Sequence, residues 1–161
     1  MRRLVLLGAL LAACAGAAAS LPKATAPVAA PAAPPAVSYA APELFLVNGP
    51  LAMHTENGAR LPIANGWVEA RLSNFPPGPI AELDVLVISK ATNAPARADV
   101  TVSYDMAQME HGLIEERAHP GAGGHHAAKL ELWMLDAWRI KIQIVLEGVP
   151  SDIVLLVAPK S

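Results

Sequence analysis

The chain has 161 residues, and its 12 basic and 14 acidic residues give a formal net charge of −2 at pH 7. This balance leaves no basic patch, so nucleic acid is excluded as a partner. The single cysteine, Cys14, leaves the folded part without a disulfide, a CxxC metal site or cysteine-based catalysis.

The first residues have the layout of a secretory signal, with two arginines before a run of small and apolar residues. The run is far shorter than the roughly 20 residues that a membrane-spanning helix needs. It ends in Leu11-Ala12-Ala13-Cys14, which resembles a bacterial lipobox. Residues 1–13 are therefore predicted to be a lipoprotein signal peptide, with Cys14 lipidated. The alternative is ordinary cleavage within AGAAAS, which would discard Cys14 with the signal.

The lipobox predicts a bacterial envelope protein that a lipid holds to the membrane and that faces the periplasm or the cell exterior. Residues 14–42 follow as a linker rich in alanine and proline, with almost no charge. Because its prolines remove backbone donors, the alanines do not predict a helix there. The segment is predicted to be a semi-extended tether that holds a domain clear of the membrane.

Residues 43–161 show an apolar period of two, which is typical of half-buried strands. Five runs alternate clearly, ELFLV and DIVLLVA read as opening and closing strands, and turn signals such as NG and FPPGP separate them. About seven strands predict an all-β domain, an immunoglobulin-like antiparallel sandwich. The residues predicted to face its core are Val68, Ala70, Leu72, Leu83, Val85, Val87, Ala98, Val100, Val102, Tyr104, Leu130, Leu132, Met134, Trp138, Ile140, Ile142 and Ile144.

Two segments of this domain carry a family resemblance. DMAQMEHG follows an apolar strand, and further on LELWMLDAW places Met134 shortly before Trp138. This order over residues 60–148 resembles the YtkA-like/FixH-like domain of bacterial envelope proteins. The chain departs from that pattern in having MAQM for the usual MPxM, and Ala137 where a glycine is common. The resemblance implies a sandwich associated with copper handling, and a protein partner in copper efflux or respiratory oxidase assembly.

The candidate metal ligands are methionines and histidines. Thioether sulfur is a soft, neutral donor that suits Cu(I), and imidazole binds copper in either oxidation state. Copper, as Cu(I), is therefore the predicted cofactor. The candidates are Met106, Met109, His111, His119, His125, His126 and Met134, with the pair Met53 and His54 as a further possibility.

A core role competes with ligation at some of these positions. Met134 continues the alternation of the strand before it, so a core role is favoured there. For Met106, the sequence leaves both a core role and metal ligation open. Met109 and His111 lie in a polar stretch, which favours ligation. Adjacent His125 and His126 point to opposite faces of an extended strand. We expect a strand to end at residue 105 or 106 and to present Met109 and His111 beside the glycine-rich histidine loop, at one end of the sandwich.

No motif of an enzyme is present, since the chain has neither a P-loop nor a GxSxG elbow. The sequence therefore predicts a non-enzymatic protein and leaves two functions open. One is a copper carrier, chaperone or sensor. The other is a metal-free adaptor domain of a membrane-associated complex.

Overall fold

The computed structural model describes residues 40–76, 78–109 and 112–160. The predicted signal peptide, Cys14 and nearly all of the predicted linker lie outside them. In the described part, no helix is long and apolar enough to cross a membrane. A short 3-10 turn lies at Ala122–Gly124, and the strands are β1 (Glu43–Asn48), β2 (Leu51–Thr55), β3 (Arg60–Ile63), β4 (Gly66–Ser73), β5 (Ile80–Ser89), β6 (Asp99–Met106), β7 (Ile114–Arg117), β8 (His119–Pro120), β9 (His125–Glu131), β10 (Trp138–Leu146) and β11 (Val149–Ala158).

Two antiparallel sheets form the domain. The first has the strand order β2-β1-β11-β10-β6-β7 and the second β3-β4-β5-β9-β8. The prediction of an all-β antiparallel sandwich is confirmed. The described residues hold more strands than the seven or so predicted, because β2, β3, β7 and β8 are short edge strands. Their sequences lack a clear alternation, and they form by pairing with a longer neighbour.

The core lies between the inward faces of the two sheets. In β10, Trp138, Ile140, Ile142 and Ile144 are buried, and Arg139 between them is exposed. Burial of each such side chain contributes about 1.5–3 kcal/mol. The residues predicted to face the core are buried, apart from Ala98, which is half-buried, and Met134, which is exposed.

The chain crosses from one sheet to the other at both sides of the sandwich. On one side, β7 ends at Arg117 and β8 begins at His119 on the other sheet, with buried Ala118 between them. On the opposite side, residues 56–59 join the edge strands β2 and β3. The side chain of Asn57 in this link pairs with the backbone N–H and C=O of Leu72 at 2.9 and 2.7 Å.

Strand direction assigns the connections to two ends of the sandwich. Met106, Trp138 and Val157 lie opposite one another on β6, β10 and β11, and Glu43 begins β1 beside Ala158. We call this the methionine end, and it carries the β6–β7 and β9–β10 connections. The opposite end, which we call the histidine end, carries the β5–β6, β8–β9 and β10–β11 connections. The chain therefore enters and leaves the domain at the methionine end.

Candidate metal site

The strand β6 ends at Met106, as predicted, and the chain then turns away from the sheet. Met106 is buried opposite Trp138, so its side chain belongs to the core. Met109, in the turn that follows, is 38% exposed. His111 lies outside the described residues. Of the ligands predicted in this segment, Met109 is the one whose side chain the structure places at the surface.

Met134 is also at the surface, so the prediction that it faces the core is wrong. The strand β9 ends at Glu131, and the alternation ends with buried Leu132, so that Met134 is 44% exposed in the connection to β10. The backbone of this connection is nevertheless held in place. The indole Nε1 of Trp138 donates a 3.0 Å hydrogen bond to the carbonyl oxygen of Met134.

The connections that carry Met109 and Met134 are neighbours. The backbone N–H of Ala107 donates a 2.9 Å hydrogen bond to the carbonyl oxygen of Ala137, which extends the ladder between β6 and β10 by one step. Met109 follows this hydrogen bond closely along the chain, and Met134 precedes it closely. Both exposed thioethers therefore lie on adjacent connections at the methionine end.

His126 is buried and has both ring nitrogens engaged. Its Nδ1 lies 3.1 Å from the carbonyl oxygen of Gly124, and its Nε2 lies 2.9 Å from that of Ala98. A neutral ring can donate to one of these two carbonyl oxygens, and both ring nitrogens face the backbone. His126 therefore joins the β8–β9 connection to the residues that precede β6.

His125 lies on the opposite face of β9 from His126, which confirms the prediction for adjacent residues of a strand. Its Nδ1 is 2.9 and 3.1 Å from the two carboxylate oxygens of Asp84. His119 is exposed in the edge strand β8, and His54 in β2 packs edge-on against Phe45 at a centroid distance of 5.4 Å. His119 and His125 are on the second sheet, whereas His54 and the exposed Met53 are on β2, at the edge of the first sheet.

The two predicted ligand loops lie at opposite ends of the sandwich, so the expectation that they share one end was wrong. His126 contacts Ala98, just before β6 begins, whereas Met106 is the last residue of that strand. Eight residues of strand span about 26 Å at about 3.3 Å per residue. The physical reason is that β7 and β8 carry the chain along the length of the domain between the two loops.

The acidic and histidine side chains of the described residues form no metal site of their own. Nowhere in this part do three or more histidine, cysteine, aspartate or glutamate residues come together so that they could hold a metal ion. Among the described residues at the methionine end, Met109 and Met134 present exposed thioether sulfur.

An ion pair lies beside these methionines on the outer face of the first sheet. Arg139 is opposite Asp105, and its Nε and one terminal nitrogen donate to the two carboxylate oxygens. The hydrogen bond and the charge of Asp105 raise the pKa of Arg139 above its ordinary value, so the guanidinium stays cationic. Asp105 is held by Arg139, whereas Glu131 is exposed and Asp136 is half-buried on either side of the segment that carries Met134.

The sequence reasoning missed an exposed apolar cluster at the methionine end. We define it by six residues and call it the apolar cluster: Met109, Leu113, Ile114, Trp133, Met134 and Leu135. The signal was present in LWML, residues 132–135. A strand buries only alternate side chains, so four consecutive apolar residues cannot all face the core. In the structure Leu132 is buried, and the other three are exposed.

A cleft of about 650 Å³ opens at the histidine end. Arg97, Asp99 and Glu147 line its walls together with His126. His126 is the one predicted ligand that reaches it, and its ring nitrogens are engaged by carbonyl oxygens. The cleft is therefore unrelated to the methionine pair.

Comparison of the chain with protein-family models, with curated proteins and with solved structures found no match. The resemblance to the YtkA-like/FixH-like domain therefore rests on the two sequence segments alone.

Proposed function

We propose that this protein is a lipid-anchored, non-catalytic protein of the bacterial envelope that binds Cu(I) at the methionine end. The ligands are Met109, Met134 and His111, the last assigned from the sequence. The observation that carries the proposal is the exposure of Met109 and Met134 on adjacent connections. Both side chains are at the surface, and the backbone hydrogen bond from Ala107 to Ala137 joins the two connections that carry them.

The donor set favours Cu(I) over zinc. Thioether sulfur is soft and uncharged, whereas zinc prefers thiolate, imidazole and carboxylate ligands. The folded part contains no thiol, and the described residues hold no group of three or more histidine, cysteine or acidic side chains that could bind a metal. A site built from exposed side chains is accessible to a partner that takes up the metal. Such a site suits a carrier, chaperone or sensor that passes copper to a partner in copper efflux or respiratory oxidase assembly.

A Cu(I) competition titration tests the site. We expect Met109→Leu/Met134→Leu to lower the affinity at least tenfold, because leucine keeps much of the bulk and removes both sulfur atoms. The matched control is Met53→Leu, since Met53 is exposed in the edge strand β2 and should not contribute. Equal affinity of all three proteins, or no affinity in any of them, would contradict copper binding at this site.

The lipid anchor is tested separately. Cys14→Ala should block processing and leave the precursor with its signal, whereas normal maturation and release of a soluble protein would count against lipidation at Cys14.

The apolar cluster favours a second candidate function, the metal-free adaptor. Exposed apolar patches often mark surfaces that contact another molecule. If the copper titration is negative and substitutions in the cluster abolish association with an envelope complex, the adaptor replaces the carrier as the proposed function.

A further inference from the structure

The apolar cluster concentrates the exposed hydrophobic surface of the domain at one place. Of the eleven large apolar side chains that are exposed among the described residues, six belong to it. Leu113 and Leu135 are 66% and 67% exposed, and Trp133 is 46% exposed. Five of the six lie on two neighbouring connections and Ile114 begins β7, so all six are at the methionine end.

The same end receives the chain that precedes the domain. Glu43, the first residue of β1, pairs with Ala158 near the end of β11, and Leu44 pairs with Val157. Val157 in turn lies opposite Trp138, which closes the β9–β10 connection. The segment from Cys14 to residue 42 therefore joins the domain at the end that carries the apolar cluster.

We propose that the apolar cluster docks on the surface of the bilayer that holds the lipid anchor, with Leu113, Trp133 and Leu135 in the headgroup region. This inference rests on the lipid anchor of the proposed function, and it assigns the cluster a role that copper binding does not need. Tryptophan suits this depth, because its ring is apolar and its N–H is polar.

The charges at this end favour an uncharged or zwitterionic lipid surface over an anionic one. Arg139 is paired with Asp105, and Glu131 and Asp136 flank the exposed segment. No cluster of cations accompanies the apolar residues among the described residues at this end, so attraction to anionic headgroups does not drive the contact. The contact depends on apolar burial.

Because the tether links the domain to the bilayer, a weak contact is sufficient for docking. The roughly 26 residues between Cys14 and Ala40 reach at most about 90 Å even when fully extended. This reach is an upper limit, and at shorter separations the domain meets the surface at an effective concentration on the order of millimolar. The docked state is then populated even if the few side chains that contact the bilayer have a low intrinsic affinity for it.

The test uses the mature lipidated protein in phosphatidylcholine vesicles, with and without brominated acyl chains, and with copper removed by a chelator. Brominated lipid quenches tryptophans that lie at the bilayer surface. We expect marked quenching in the wild type, and loss of most of it in Trp133→Phe, because Trp138 is buried and Trp67 lies on the second sheet. Leu113→Ser/Leu135→Ser should reduce the quenching at least threefold.

Leu51→Ser is the matched control, because Leu51 is equally exposed but begins β2 at the histidine end. It should leave the quenching unchanged. Flotation with the vesicles without quenching would overturn the inference, leave the anchor standing and favour a protein as the occupant of the cluster. Failure to float would overturn the anchor and the inference together. Copper binding can be tested separately from docking. The variant Leu113→Ser/Leu135→Ser keeps Met109 and Met134, so it should bind Cu(I) as the wild type does.

Discussion

The indole of Trp138 donates its hydrogen bond to the carbonyl oxygen of Met134 at 3.0 Å. The ring is buried between Tyr104 and Trp133, with centroids 6.2 and 5.2 Å away. A core residue therefore holds the backbone of the segment that presents an exposed thioether. Stability and copper binding should be coupled at this position.

Trp138→Phe tests this coupling. The substitution leaves a cavity and leaves the Met134 carbonyl without its indole donor, so we expect a loss of about 2–4 kcal/mol in the free energy of unfolding. Cu(I) affinity should fall about three- to tenfold, because the ligand segment must be ordered on binding. Urea unfolding and competition titration measure the two effects. Trp133→Phe is the control for stability, and unchanged copper affinity in a folded Trp138→Phe protein would refute the coupling.

Alanine substitutions of the adjacent residues His126 and His125 should lower the free energy of unfolding by different amounts. His126→Ala removes a buried ring that can donate to one of two facing carbonyl oxygens, those of Ala98 and Gly124, and we expect a loss of about 2–4 kcal/mol in unfolding free energy. His125→Ala removes an exposed pair with Asp84, and the effect should stay below about 1 kcal/mol. Neither substitution should change Cu(I) affinity. If either folded variant binds Cu(I) more weakly than the wild type, the substituted histidine belongs to the metal site.

Copper affinity should depend on pH through His111. Protonated imidazole cannot bind a metal, so the affinity should weaken as pH falls and imidazole becomes protonated. Thioethers do not titrate, and Arg139 is cationic throughout this pH range. Titrations between about pH 8 and 5 should therefore show a decline in the wild type and a flat profile in His111→Ala. A decline that persists in His111→Ala would assign the proton competition to another group.

Gly66 should not tolerate a side chain. A Cβ at this position would lie 2.0 Å from the carbonyl oxygen of Ile88, so β4 and β5 would have to move apart. We expect Gly66→Ala to lower the unfolding free energy by about 1–3 kcal/mol. Gly78→Ala is the matched control, since its nearest contact would be 3.6 Å and the change should stay within about 0.5 kcal/mol. Equal melting temperatures of the two variants would contradict the close approach.

The sandwich and its core could be predicted from the sequence because a strand with one dry face has period two. Ile142 illustrates this, since its burial follows from the alternation of β10 alone. The end of β6 at Met106 was predictable for a similar reason, because the apolar alternation stops there and a polar stretch follows.

The candidate site was less predictable, because it depends on how strands pair in three dimensions. Met134 fits the alternation of β9, and only the early end of that strand brings it to the surface. The separation of Met109 from His126 depends on β7 and β8, whose sequences IEER and HP carry no strand pattern. Their pairing with β6 and β9 decides the direction of the chain, and the apolar periodicity of the sequence does not predict this pairing.

The crossings between the sheets have a consequence for how the domain opens. Each edge strand of one sheet continues directly into an edge strand of the other, through Ala118 on one side and residues 56–59 on the other. If an edge strand detaches from one sheet, the edge strand of the other sheet to which it is directly connected is therefore disturbed as well. Partial opening of a single sheet is disfavoured, and slow amide hydrogen exchange should report one global event for β5, β6, β9 and β10 together.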